Sequence, residues 1–169
     1  MVINRSIKSL AFWIATSIVL VAILLILATY FRWFRLTAEL GGESVHHWFS
    51  YSGTAFIGIY LPLYSFLKRR YTSKQKLLLY IHVFGNLLAF SAISIHFTHQ
   101  LTRPAQAYPD LGTGVALITT LVILIITGFV LRFQLIGKGL KSWRWVHTGL
   151  ILSFYLIIVL HILHGLGAI

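Results

Sequence analysis

Five apolar stretches dominate this chain, at approximately residues 9–31, 45–67, 77–101, 111–131 and 145–165. Each is about 20 residues or longer, enough for a helix to cross roughly 30 Å of hydrocarbon at 1.5 Å rise per residue. Inside a bilayer no water satisfies the backbone, so such stretches fold as helices that pair their own N–H and C=O groups. The expected fold is all-α and integral to the membrane. Five transmembrane helices form one bundle, with residues 1–169 as a single domain and no stretch left over for a separate soluble one.

Composition supports this. The chain is 58% hydrophobic, and only 14 basic and 3 acidic side chains occur in 169 residues. A soluble domain needs far more polar surface. The absence of cysteine excludes disulfides, thiolate chemistry and cysteine-held iron–sulfur clusters. A net charge of +11 would suggest nucleic acid in a soluble protein, but basic loops in a membrane protein follow from topology, so no nucleic-acid partner is expected. The first stretch follows Arg5 and Lys8 as a signal peptide would. It is too long for one, and it ends in Tyr30, Phe31 and Trp33 rather than at a small-residue cleavage site, so it is expected to remain as a helix with an aromatic belt. The second stretch is the weakest, because Gly53, Gly58 and Pro62 interrupt it.

The basic residues set the orientation. Arg5 and Lys8, then Lys68, Arg69, Arg70, Lys74 and Lys76, then Arg132, Lys138, Lys141 and Arg144 fall on one side. Arg32, Arg35 and Arg103 fall on the other, with the acids Glu39, Glu43 and Asp110. The excess of Lys and Arg marks the cytoplasmic side, which puts the N-terminus inside and the C-terminus outside a cell membrane crossed several times.

The third and fifth stretches carry the same pattern, H-x13-H-x2-H: His82, His96 and His99 in one, His147, His161 and His164 in the other. A polar residue at membrane depth is costly and marks a functional site. Fourteen residues at 100° each fall 40° short of four full turns, so His82 and His96 share nearly one face about 21 Å apart along the axis, as do His147 and His161. The two helices run in the same direction. Facing one another, they offer His82 with His147 near the cytoplasmic end and His96 with His161 near the outer end. Two opposed imidazoles are what a six-coordinate b-type haem takes, one on each face of the iron, which gives two haems b and four axial ligands. A haem-free, histidine-lined metal or proton transporter is the rival from another class. Metal paths usually add carboxylate or cysteine, and the third and fifth stretches have no Asp, Glu or Cys.

His99 and His164 lie one turn beyond the outer pair. They either replace His96 and His161 or hydrogen-bond haem propionates or a quinone. The 17-residue spacing from His82 and His147 is about 100° out of line, which favours the second role. Arg103 and Arg144 can balance propionates. Gly85 and Gly149 lie close to ligand positions and allow either a macrocycle or a neighbouring helix to approach. His46, His47, Glu39 and Glu43 gather on the outer side, where acid and imidazole together can accept protons released by a quinol or meet a partner protein.

The segment Trp143-Arg144-Trp145-Val146-His147, with Tyr155, His161 and His164, resembles the fifth helix of ferric reductase-like membrane domains. These include the haem-binding subunit of the bacterial methionine sulfoxide reductase system and the membrane part of NADPH oxidases. The third stretch, with His82, Gly85 and His96, resembles their third helix. The cytochrome b of quinol-oxidising complexes has a similar double H-x13-H arrangement. The resemblance covers about half the chain. It implies bis-histidine haem b and transmembrane electron transfer, as an electron-transfer cytochrome b or an oxidoreductase subunit. The chain departs from those domains in having five stretches where six are common, and no flavin or nicotinamide domain is expected. Electrons would then come from quinol in the lipid bilayer or from a redox partner protein. A self-contained oxidoreductase coupled to quinone or superoxide is the alternative within redox chemistry.

Overall fold

A computed structural model describes residues 9–33, 38–104, 112–136 and 139–168. Arg5, Lys8, Arg35, Asp110 and Lys138, which helped to orient the chain, lie outside the described residues. Five long helices account for most of the rest: α1 Leu10–Tyr30, α2 Val45–Arg70, α3 Gln75–Leu101, α4 Gly112–Phe133 and α5 Leu140–Gly165. A two-stranded antiparallel hairpin, β1 Glu39–Leu40 and β2 Glu43–Ser44, precedes α2, and a 3₁₀ turn, Thr72–Lys74, joins α2 to α3.

Among the described residues, four helices are long and apolar enough to cross a membrane: α1, α3 with the turn before it, α4 and α5. Large apolar side chains such as Leu24, Leu88, Ile126 and Leu156 stand exposed along them, as lipid-facing positions do. The chain is a multi-pass, membrane-embedded helical protein. α2 has the length at 26 residues but not the hydropathy. His46, His47, Ser50, Ser52 and Thr54 dilute its first half, and Lys68, Arg69 and Arg70 close it. Those three cations sit at the carbonyl end, where the helix dipole favours them. α5 begins earlier than its apolar stretch, at Leu140 directly after Gly139, whose φ of 83° is left-handed.

The chain divides into two compact units, residues 1–13 with 109–169, and residues 14–108. In the first, α4 packs on α5, and Phe12 meets Phe129 and Phe133 edge-on. In the second, α2 and α3 form an antiparallel pair. Gly53 lets the backbones approach: a Cβ there would lie 2.9 Å from the carbonyl oxygen of Ala89. Gly85 receives the ring of Phe56, which a Cβ at that position would overlap. Gly85 thus packs helix against helix. At Gly149 no described atom lies within 4 Å of such a Cβ. On α1, Ala15, Ala22 and Thr29 recur every seventh residue and are buried, giving one narrow small-residue face.

Candidate functional site

Each histidine-bearing helix has a companion that touches both of its key imidazoles. α4 serves α5. Thr127 Oγ1 lies 2.8 Å from His147 Nδ1, and Thr113 Oγ1 lies 2.9 Å from His161 Nδ1. The two threonines are 14 residues apart, like the two histidines they meet, and the helices run antiparallel, so one spacing matches the other. Gly128 clears the ring of His147, whose Cε1 would stand 3.2 Å from a Cβ at that position.

The Thr127 contact fixes a tautomer. Its hydroxyl donates back to the carbonyl of Ile123 at 2.8 Å, with Leu124 O at 3.1 Å. A hydroxyl has a single proton, so toward His147 the oxygen accepts, and Nδ1 carries the hydrogen. The lone pair is then on Nε2, the form in which imidazole binds a metal or haem iron, with the opposite nitrogen held by a neighbouring group. His147 held in this way suits an axial-ligand role.

α2 serves α3. At one end Tyr64 stacks on His82, ring centroids 4.5 Å apart and planes 18° from parallel. Asn86, one turn along the same helix, contacts His82 Nδ1 at 3.2 Å. The atom that meets it is Nδ2, so as placed the amide donates and Nδ1 accepts; a lone pair on Nε2 requires the amide turned over, with Oδ1 accepting.

At the other end four histidines and a glutamate come together. His46 is 3% exposed. Its ring stacks on His99 at 3.9 Å and lies 5.4 Å from His96 and 4.3 Å from His47. His47 and His96 are 5.3 Å apart. One nitrogen from each of His46, His47 and His96 lies within 4.8 Å of the other two, close enough to hold one metal ion. His47 Nδ1 pairs with Glu43 Oε2 at 2.8 Å, and Ser44 Oγ lies 3.3 Å from His46 Nε2. The hairpin delivers these groups. Gly41 and Gly42 have φ of 63° and 84°, as a two-residue turn of this kind demands, and set Glu39 opposite Ser44 and Leu40 opposite Glu43. Ala38 O accepts from Val45 N at 3.0 Å, and Trp48 Nε1 donates to Leu40 O at 2.9 Å, which ties the hairpin to the first turn of α2.

The structure thus brings His46, His47 and Glu43 onto His96 and His99 within one unit, whereas Glu39 remains exposed on β1. Arg103 follows α3 and bonds through its backbone to Gln100 O, and Thr102 O accepts from the Arg32 guanidinium. Arg144 and His164 are exposed on α5. His82, His96, His147 and His161 are each part-buried, the first pair in the second unit and the other pair in the first. Sequence reasoning missed Thr113, Thr127, Asn86 and Tyr64. The T-x13-T spacing on α4 was the available signal for two of them. Compared with known proteins, the chain matches no family model, no curated protein and no solved structure.

Proposed function

We propose that the chain carries electrons across the cell membrane on two b-type haems, as the membrane subunit or relay of a redox system. The observation that carries this reading is the repeated H-x13-H on α3 and α5, whose two α5 histidines are each met at Nδ1 by a threonine of α4. The ligands would be His82 and His96 with His147 and His161, in the pairs that the spacing sets. Haem bound in this way supplies a one-electron carrier with no open position on its iron. The protein's own part is to keep each imidazole in one plane and one tautomer, and to exclude water from the four sites.

In this reading α2 also spans, with its outer histidines shielded by the hairpin and by α3, so that the N-terminus is cytoplasmic and the C-terminus outside. Electrons enter or leave at the outer end through a quinone or a partner protein. There His46, His47, Glu39 and Glu43 supply groups that take up protons. Pyridine haemochrome analysis of the purified chain, with protein quantitation, tests the proposal. About two haems b per chain are expected. A ratio near zero overturns the reading, and a ratio near one removes one of the two pairs.

A further inference from the structure

The outer end of the α2–α3 unit has the donor set of a different cofactor. We propose that His46, His47 and His96 bind one divalent transition-metal ion, with Glu43 positioning His47. The proposal does not need the haem reading. It meets that reading at His96, which gives its lone pair to one metal at a time, and at His46, His47 and Glu43, which cannot take up protons at the outer end while they hold an ion.

Four features support the site. The first is number and reach: three imidazoles each place a nitrogen within 4.8 Å of the others. On a tetrahedral Zn²⁺, with bonds of about 2.0–2.1 Å, ligand nitrogens stand roughly 3.4 Å apart. Closing to that spacing falls to side-chain rotation of the half-buried His47 and His96. The second is the carboxylate behind a ligand. Glu43 accepts from His47 Nδ1, leaving the lone pair on Nε2 and making the ring a stronger donor. The third is fixation: His46 is buried, stacked on His99 at 3.9 Å and contacted by Ser44, so its plane is set before any ion arrives. The fourth is charge. Glu43 and the last-turn carbonyls of α3 favour a cation, against the positive end of α2 and the guanidinium groups of Arg32 and Arg103 near His99. Imidazole donors without thiolate suit Zn²⁺, Cu²⁺ or Fe²⁺ rather than Ca²⁺ or Mg²⁺.

An ion seated here would occupy His96 and so set whether the outer histidine pair is available to haem. The site would make electron transfer sensitive to metal supply.

Zinc binding by the full chain in detergent micelles tests this. Equilibrium dialysis against buffered Zn²⁺ would be followed by elemental analysis, with haem measured in the same samples. One Zn²⁺ per chain is expected. His46→Ala and His47→Ala should each reduce it to background, and Glu43→Gln should weaken it roughly 10–100-fold. His164→Ala and His161→Ala should leave it intact. Glu43→Gln preserves side-chain volume, and its elution profile and helical content report whether it folds. Absence of bound zinc, or zinc unchanged in the His46 and His47 variants, overturns the site whatever the haem content. One zinc with no haem supports the site and overturns the redox reading. One zinc together with two haems supports the site and requires a ligand other than His96 for the outer haem. Two haems without zinc supports the redox reading and overturns the site.

Discussion

Thr127 Oγ1 lies 2.8 Å from His147 Nδ1 while donating its own proton to the carbonyl of Ile123, so a group on α4 dictates which nitrogen of an α5 imidazole is basic. A second threonine–imidazole contact recurs 14 residues away between Thr113 and His161, at 2.9 Å. Threonines that turn to their own helix are ordinary in membrane proteins, but two threonines in step with two histidines amount to a matched set of anchors.

The first prediction follows from that match. Thr127→Val should weaken the haem that depends on His147, and Thr113→Val the one that depends on His161, each by roughly 10–100-fold in affinity. Thr127→Ser and Thr113→Ser should retain both. Redox titration of each variant, compared with His82→Ala, His147→Ala, His96→Ala and His161→Ala, checks the assignment. Thr127→Val should diminish the component lost in His147→Ala and in His82→Ala. If the two valine variants weaken the same component, the anchors do not map onto separate sites.

The two packing glycines of the α2–α3 pair should behave differently. Gly85→Ala drives a methyl into the ring of Phe56 and should cost about 1–3 kcal/mol, most of it recovered by adding Phe56→Leu. Gly53→Ala meets the backbone oxygen of Ala89, so trimming Ile93 alone should not restore it. Thermal unfolding of the single and double variants in detergent gives the comparison. Equal rescue at both positions would contradict the contacts described.

Whether α2 crosses the bilayer is decided by labelling. The chain has no cysteine, so single cysteines can be introduced without background. Leu40→Cys in the hairpin and Ser73→Cys in the 3₁₀ turn flank α2. With a membrane-impermeant maleimide on intact cells, residue 40 is expected to react and residue 73 only after the cells are opened. Reaction of both from the same side would reduce the count to four spans.

At the outer end, the double substitution His46→Ala with His47→Ala should slow haem reduction by a quinol analogue several-fold, with haem content unchanged and divalent metal removed by chelation. Stopped-flow absorbance at the haem bands measures it. Unaltered kinetics would move electron entry to the cytoplasmic side or to a partner protein.

Much of the fold could be read from hydropathy because membrane helices declare themselves over about 20 residues. The expected ends at 9–31 and 77–101 differ from Leu10–Tyr30 and Gln75–Leu101 by no more than two residues. The errors arose where helix and apolar stretch part company. α5 runs back through Lys141 and Arg144 to Gly139, and α2 runs on through three cations, since helical hydrogen bonds are indifferent to side-chain polarity outside the bilayer. The hairpin escaped notice because strands of two residues have no periodicity, leaving only the Gly41–Gly42 pair as a sign. The histidines stood out in sequence. Their partners did not: Asn86, at four residues from His82, was within reach of helical reasoning, whereas Tyr64 and the threonines act through contacts between helices.

The hairpin ahead of α2 is also a ruler. Six residues, 39–44, separate Ala38 from Val45, the first residue of that helix, whose N–H donates to the Ala38 carbonyl, and the two-glycine turn fixes which side chain faces which along the way. Insertion of one residue in the turn would leave every histidine, every helix and the Glu43–His47 pair in place and still unseat Leu40 from Trp48, because the strands would close out of step. The packing of the hairpin against the first turns of α2 is therefore sensitive to insertions and deletions in a loop that contributes no imidazole to the histidine cluster. Its length, more than the identity of its exposed residues, is the quantity that variation in this segment has to respect.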